Sequence, residues 1–284
     1  MGILKGWTWN GRIPVKWDVL VAIVEDDPFS RNWMALLAAR DRRTRVVAEV
    51  GDLSSLLPHL AGDTCRIDVL LIDSDIPGRE DLISGWTLGG PARAGRPKIL
   101  LTGINADPRA LHQMKPDFYA GYILKGEIST SLAWAITLAA AGYWVITPGI
   151  QTLAYTARFR LPLPCMVLDG CQPFYNLTDY QTRVARLAFL FSMERHELAN
   201  ELGISQEWSY GLVSAIYERL GLKTFLAGDS ASLHDLDVSE EIAAYLEAVR
   251  AKLNNSGRPK DLESLAFHLL TIPLVKKFDR DSSW

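Results

Sequence analysis

Five residues of the chain can bind a cation or an anion, and each closes a short apolar run. They are Glu25, Asp26, Asp73, Thr102 and Lys125. Three carboxylates brought to one point repel each other unless a divalent cation joins them, and Mg²⁺ prefers such oxygen ligands. A lysine and a hydroxyl beside them would hold a tetrahedral anion. Because a carboxylate can itself attack a phosphoryl group, these residue types together predict phosphoryl chemistry on an aspartate.

The runs that carry these residues have the pattern of buried strands. Strands covered on both faces are apolar throughout, and strands that alternate with helices form parallel sheets with right-handed crossovers. The stretches between the runs have helical spacing. The predicted strands are VLVAIV (19–24), RVVAEV (45–50), DVLLID (68–73), KILLT (98–102) and AGYILK (120–125). The sequence therefore predicts a five-stranded, doubly wound α/β domain. Ligands of such sheets bind beyond the carboxyl ends of the strands, where the five residues would meet.

The strings IVEDDP, LLIDSDIPG, ILLTG and GYILKG occur in this order along the chain. In residue type, order and spacing they resemble the receiver domain of two-component response regulators. The resemblance implies that Asp73 is the phosphoacceptor. It also implies that Glu25, Asp26 and Asp73, with the backbone carbonyl of Asp75, bind Mg²⁺.

The same resemblance gives roles to three further residues. Thr102 and Lys125 correspond to the pair that senses the phosphoryl group, and Tyr122 corresponds to the aromatic switch residue. The later string AAAGYWVITPGI is similar to the end of the receiver in the NarL/LuxR subgroup. Each residue alone also has a structural explanation. Thr102 could satisfy a strand end, Lys125 could be a solvated cation, and Tyr122 could be simple packing.

An enzyme is the alternative at this site. Asp73-Ser74-Asp75 after an apolar strand also resembles the nucleophile motif of haloacid-dehalogenase-type phosphatases. Those enzymes need an acidic pair after the lysine, whereas residues 126–160 contain Glu127 as their one acid. The acids instead precede Asp73, so we favour a signalling domain that is not an enzyme.

Composition is that of an ordinary globular protein. The 284 residues are 48% hydrophobic and 22% charged, with a net charge of −3 and three cysteines. So few cysteines do not make a disulfide framework, which indicates a reducing compartment. The first residues lack the apolar core of a signal peptide. The uncharged stretch 128–146 favours a buried helix followed by a turn over a membrane span. We expect a cytoplasmic protein without membrane contact.

Shifts in pattern divide the chain into five parts. Residues 151–176 hold prolines and little periodicity, and three short helical patterns follow them. Beyond 225, a helix capped by Ser239 and one further helix are predicted. The expected parts are an N-terminal arm (1–17), the receiver domain (18–150), a linker (151–176), a helix-turn-helix domain (177–225) and a helical C-terminal extension (226–284).

Residues 177–225 resemble the helix-turn-helix domain of LuxR-type regulators. The shared strings are Leu177-Thr178, Leu198-Ala199, Leu202-Gly203-Ile204-Ser205 and Ile216-Tyr217-Glu218-Arg219-Leu220-Gly221. They are mostly scaffold positions. The resemblance implies a recognition helix that begins after Ser205 and enters the major groove of DNA.

The recognition positions depart from the family's usual residues. They hold Trp208, Ser209, Tyr210 and Leu212, and residues 177–225 carry six acids against five cations. Phosphate neutralisation supplies most DNA affinity, so this charge disfavours tight binding. Trp and Tyr also dominate protein–protein hot spots, and packing against the C-terminal helices is a third explanation. The cations that could contact DNA or a partner are Arg183, Arg186, Arg195, Arg219 and Lys223.

The sequence is thus identified as a member of the NarL/LuxR-type response regulators with a divergent output domain. The expected function is transcriptional regulation controlled by phosphorylation of Asp73. The alternative is an output domain that binds protein partners rather than DNA. Expected partners are a sensor histidine kinase or other phosphoryl donor, DNA with weak support, and a second copy in a homodimer. The extension could cover the helix-turn-helix, form the dimer or bind a partner.

Overall fold

The computed structural model describes residues 15–61, 66–82, 96–171, 176–229, 238–253 and 259–278. The chain divides into two compact units. One contains residues 16–170 and the C-terminal segment from Pro273, and we call it the sheet unit. The described part of 171–272 belongs to the other, the helical unit. The chain therefore leaves the sheet unit after Gly170 and re-enters it at Pro273.

The sheet unit is built on one eight-stranded sheet in the order β2-β1-β3-β4-β5-β6-β7-β8. All neighbours pair in parallel except β7 and β8, which are antiparallel. The strands are β1 (Val19–Val24), β2 (Thr44–Val50), β3 (Val69–Asp73), β4 (Lys98–Gly103), β5 (Tyr119–Leu124), β6 (Trp144–Ile146), β7 (Cys165–Asp169) and β8 (Leu274–Lys277).

Helices cover the two faces of this sheet. Those whose full bounds lie in the described residues are α1 (Pro28–Arg40), α2 (Leu53–Ala61), α3 (Pro108–Gln113), α4 (Lys125–Ile128), α5 (Leu132–Ala140) and α6 (Pro148–Thr156). Helices α2, α3 and α6 contribute to one apolar core with alternate residues of the strands. Helices α1 and α5 contact each other and strand β1. Helices on both faces of a mainly parallel sheet confirm the predicted doubly wound α/β class.

The sheet is larger than the five strands predicted. The segment expected to be a linker, 151–176, contains most of α6 and all of β7, and the C-terminal extension contributes β8. The predictions that the receiver domain ends at residue 150 and that the C-terminal extension is entirely helical are therefore both wrong.

Gly121 shows how closely the first added strand, β6, approaches β5. Its φ is +145°, and a Cβ there would lie 1.8 Å from the carbonyl oxygen of Val145 on β6.

The helical unit contains the predicted helix-turn-helix. Its elements are α7 (Asp179–Ala185), a π-helical turn (Arg186–Leu190), α8 (Arg195–Leu202), α9 (Gln206–Arg219) and α10 (Leu222–Leu226). Gly203 ends α8 in the left-handed conformation. Ser205 then caps α9, because its side chain accepts a hydrogen bond from the Trp208 amide.

Two further helices complete the unit, α11 (Glu240–Lys252) and α12 (Pro259–Leu270). Ser239 caps α11 as predicted. The apolar stripe of α11 is buried and consists of Ile242, Tyr245, Leu246 and Val249. Helix α12 contacts the π-helical turn, α10 and α11. Within the residues described, no helix is long and apolar enough to cross a membrane.

Candidate functional site

The candidate site lies at the carboxyl ends of β1, β3, β4 and β5. Asp73 ends β3, Glu25 follows β1 directly, and Lys125 follows β5 directly. The Lys125 ammonium nitrogen lies 2.6 Å from Asp73 Oδ2 and 2.5 Å from Glu25 Oε2. The fold thus brings together three of the residues that the sequence predicts to do chemistry. They lie where β1 neighbours β3, at the switch point where ligands of such sheets bind.

Burial controls the electrostatics of this cluster. The side chains of Glu25 and Asp73 are 2% and 5% exposed, and that of Lys125 is 18% exposed. Burial raises the pKa of Glu25, and the nearby Asp73 charge raises it further, while Lys125 opposes both. Burial lowers the pKa of Lys125, but its contacts with Asp73 and Glu25 outweigh this, so that its pKa is raised. One cation therefore holds two acids, of which Glu25 resists ionisation.

Backbone amides hold the acids in place. The Asp75 amide donates a 2.7 Å hydrogen bond to Asp73 Oδ1, and the Asp27 amide contacts Glu25 Oε1 at 3.4 Å. Arg31, a residue that the sequence did not single out, donates to the Glu25 carbonyl from α1. Its position six residues after Glu25, in the first turns of α1, is the signal that could have identified it.

Thr102 supplies a buried hydroxyl beside the acids. It pairs with Asp73 across β3 and β4, and it is 1% exposed. Its Oγ1 has no hydrogen-bond partner among the described residues. A buried polar atom without a partner is costly, so such an atom needs a structural or functional explanation. Thr102 and Lys125 also line a cavity of about 30 Å³, which has room for about two waters.

Tyr122 lies inside the fold with its ring fully buried. Its hydroxyl donates a 2.9 Å hydrogen bond to the Asn105 carbonyl and accepts one from the Asp107 amide at 3.3 Å. Burial raises the pKa of this phenol. Tyr122 therefore anchors the loop between β4 and α3, the loop that follows Thr102.

The expected cluster of three carboxylates is not assembled. Asp26 and Asp75 are both exposed, whereas Glu25 and Asp73 face Lys125. Over the ranges that the structure describes, no three His, Cys, Asp or Glu residues form a group that could hold a metal ion. The donor atoms for a divalent cation are present at this edge, but the lysine ammonium occupies the position between two of them.

The acid that follows Lys125 in the sequence contacts a helix and not the candidate site. Glu127 is the one acid in the segment after Lys125, and its carboxylate accepts hydrogen bonds from the Gly149 amide at the start of α6. It therefore caps a helix and does not face Asp73.

The second candidate site is the outward face of α9. Trp208 is 61% exposed and Tyr210 is 56% exposed, and Leu212 is half-buried. The option that Trp208 and Tyr210 are covered by the C-terminal helices is therefore wrong. Ser209 instead faces inward. Its hydroxyl lies 2.7 Å from the Gln206 carbonyl and 3.0 Å from the Arg195 carbonyl, so Ser209 is removed from the contact candidates.

Acidic neighbours engage part of the predicted cationic set. Lys223 lies 2.8 Å from Glu218 and Arg183 lies 3.7 Å from Glu201. Arg219 donates to a backbone carbonyl. Arg186 is exposed and Arg195 is half-buried. The exposed positions of α9 itself carry two acids, Glu207 and Glu218, and one cation, Arg219 at its last residue.

The chain is similar to solved structures of two-component response regulators. RcsB dimers bound to DNA are 19% identical, covering 82% of this chain and 99% of that one, with a TM-score of 0.42. The isolated receiver domain of RcsB from Salmonella enterica serovar Typhimurium, solved with the phosphomimetic BeF3−, is 21% identical, covering 48% and 98%, with a TM-score of 0.40. ChrA, from a heme-sensing two-component system, is 20% identical, covering 72% and 90%, with a TM-score of 0.38. No protein-family model and no curated relative matches the chain.

Proposed function

We propose that the sheet unit accepts a phosphoryl group on Asp73 and that this modification controls the helical unit. The observation that carries the proposal is the position of Lys125, whose ammonium contacts both Asp73 and Glu25 beside the unpartnered Thr102 hydroxyl. A buried carboxylate can attack a phosphoryl group. A cation and a hydroxyl donor at its side can then hold the new negative oxygens.

Each residue contributes a separate step. Asp73 is the nucleophile: its carboxylate oxygen bonds to phosphorus as the bond from phosphorus to the donor breaks, and the donor leaves, as acetate when acetyl phosphate is used. The Asp75 amide orients that carboxylate. Lys125 moves from the free carboxylate to the phosphoryl oxygens, and Thr102 donates its hydroxyl to them. Tyr122 links the Thr102 strand to the loop before α3 and is the candidate switch residue.

Mg²⁺ is the proposed cofactor, held by Glu25, Asp26, Asp73 and the Asp75 carbonyl. When bound it would neutralise charge on the transferred group. Binding requires that Lys125 give up its contact with Glu25 and that the exposed Asp26 turn inward, so we expect a weak site that is open to solvent.

The proposed output is a transcriptional regulator that binds DNA through the helix-turn-helix. The acidic, aromatic face of α9 favours a second candidate, a regulator that binds a protein partner. A mobility-shift assay on the DNA upstream of its own coding sequence, with and without acetyl phosphate, separates the two. Sequence-selective binding that depends on the donor supports the DNA reader, and its absence supports the partner binder. We also propose that a sensor kinase is the phosphoryl donor and that two copies of the protein form a homodimer.

The phosphoacceptor is tested separately from the output. Incubation with acetyl phosphate should add one phosphoryl group to the protein, and Asp73→Asn should abolish this addition. Equal phosphorylation of the two proteins would contradict the proposal.

A further inference from the structure

The segment after Lys125 is tied to the point where the chain leaves the sheet unit. Gly170 is the last residue of that unit before the helical unit begins. Its amide donates a 3.1 Å hydrogen bond to the Glu127 carbonyl, and its carbonyl accepts a 3.0 Å hydrogen bond from the Ser131 hydroxyl. Both backbone groups of Gly170 are thus held by residues within six positions of Lys125.

The held residue has a restricted conformation. Gly170 has a φ of +56°, in the left-handed region that favours glycine. Directly before it, Asp169 pairs with Leu274 of β8, and Lys276 lies 3.9 Å from the Asp169 carboxylate. The exit of the chain at Gly170 and its return at Pro273 are therefore neighbours at one end of β7.

This clamp lies close in sequence to the candidate site. Lys125 is the first residue of α4, and Glu127 lies in the same helical turn. The Glu127 carboxylate is in addition fixed by the Gly149 amide at the start of α6. Because α4 is a single turn, Lys125 and the Glu127 carbonyl belong to one short backbone segment, so a change in the backbone at Lys125 also moves that carbonyl.

We propose that the Gly170 clamp, formed by Glu127 and Ser131, transmits the state of the Asp73–Lys125 pair to the chain crossing between the two units. This proposal rests on the proposed function, because its trigger in the cell is the phosphorylation of Asp73. When Lys125 moves from the free carboxylates to a phosphoryl group, α4 shifts and the hydrogen bonds to Gly170 weaken. The backbone at Gly170, where the chain leaves the sheet unit, then opens more readily.

The test is backbone amide exchange in the full-length protein, measured residue by residue by NMR. Lys125→Met removes both ion pairs and should raise exchange at Gly170 by about tenfold, since exchange follows local opening. Lys98→Met is the matched control, because Lys98 lies at the opposite end of the sheet and contacts the Asp117 carbonyl. It should leave Gly170 unchanged. Equal exchange at Gly170 in the wild type and Lys125→Met overturns the proposal.

Beryllofluoride with Mg²⁺ is the second probe, applied to the wild type and to Ser131→Ala. We expect the Gly170 amide resonance to move at the same ligand concentration as that of Thr102, and to move less in Ser131→Ala. A shift at Thr102 without one at Gly170 overturns the coupling and leaves the phosphoacceptor intact. If no resonance shifts, the proposed function fails, and the lysine variant alone decides the coupling. If Lys125→Met does not fold, the beryllofluoride result decides it.

Discussion

The ammonium of Lys125 lies 2.5 Å from the carboxylate of Glu25, at the ends of two strands that are separated in the sheet by β3 and β4. The contact crosses the carboxyl edge above Asp73, so one ammonium contacts both acids at once. The resting site is therefore held by a cation that belongs to the protein. Metal and phosphoryl group must compete with that cation, and this competition makes the site testable.

The raised pKa of Glu25 gives a pH dependence with a defined sign. The folded protein binds this proton more tightly than the unfolded chain, whose Glu25 titrates near 4.5. Wild-type stability should therefore fall relative to Glu25→Gln as pH rises from 4.5 through the higher folded pKa. Urea unfolding of both proteins at about pH 4 and about pH 7 measures this difference. A difference that is constant, or that changes in the opposite direction, contradicts the assignment.

Magnesium binding should depend on the acids at the end of β1. Glu25→Gln combined with Asp26→Asn removes two charges and should abolish binding, followed by Mg²⁺ titration of tryptophan fluorescence or of backbone NMR shifts. Asp18→Asn combined with Asp117→Asn is a control of equal charge on exposed residues that precede β1 and β5, at the opposite ends of the strands from the site. Equal titration curves for the wild type and the Glu25/Asp26 variant would exclude the acidic pocket as the metal site.

Much of this site could be predicted from the sequence, because its residues lie at strand ends. The apolar runs of the sequence predicted β1, β3, β4 and β5, and a parallel sheet places the carboxyl ends of these strands at one edge. The exposure of Asp26 and the bridge made by Lys125 could not be predicted. They depend on side-chain rotamers and on competition among charges a few ångströms apart, which spacing does not encode.

The three added strands could not be predicted for a different reason. Strand β6 has three residues and β8 has four, too short for a periodicity to be recognised, and β8 lies more than a hundred residues from its partner β7. The one local signal is Gly121 inside a strand. A glycine there indicates a close approach of another backbone, which the structure places at Val145.

Gly121→Ala tests that close approach. A Cβ would collide with the Val145 carbonyl and also force an unfavourable φ, so we expect a loss of about 1–3 kcal/mol or more in the free energy of unfolding. Gly126→Ala is the matched control, since a Cβ there meets no atom within 4 Å. Equal urea midpoints for the two variants would contradict the described pairing of β5 with β6.

The output domain is tested by the salt dependence of DNA binding. A domain with six to ten phosphate contacts loses roughly 10³–10⁵ in affinity between about 50 and 200 mM salt. With Glu207 and Glu218 on the outward face of α9, we expect weak binding that changes by less than about tenfold over that range. Fluorescence anisotropy with DNA from upstream of its coding sequence measures this slope.

The Trp208→Ala variant tests whether the outward face of α9 binds DNA or a protein partner. If this face binds a protein, the variant leaves the weak DNA affinity unchanged, as should Phe191→Ala, which removes an exposed aromatic outside α9. Nanomolar, sequence-selective binding that Trp208→Ala alone abolishes would restore the DNA reader. Deletion of 226–284 is a poor test, because it also removes β8 from the sheet.

The most direct measurement is the intact mass of the protein after incubation with acetyl phosphate and Mg²⁺. The wild type should gain one phosphoryl group. Asp75→Asn should gain it as well, since the Asp75 side chain is exposed and its amide is the group that contacts Asp73. Asp73→Asn keeps the shape of the side chain but removes the nucleophile, so this variant should gain nothing. Phosphorylation of Asp73→Asn to the same extent as the wild type would contradict the account.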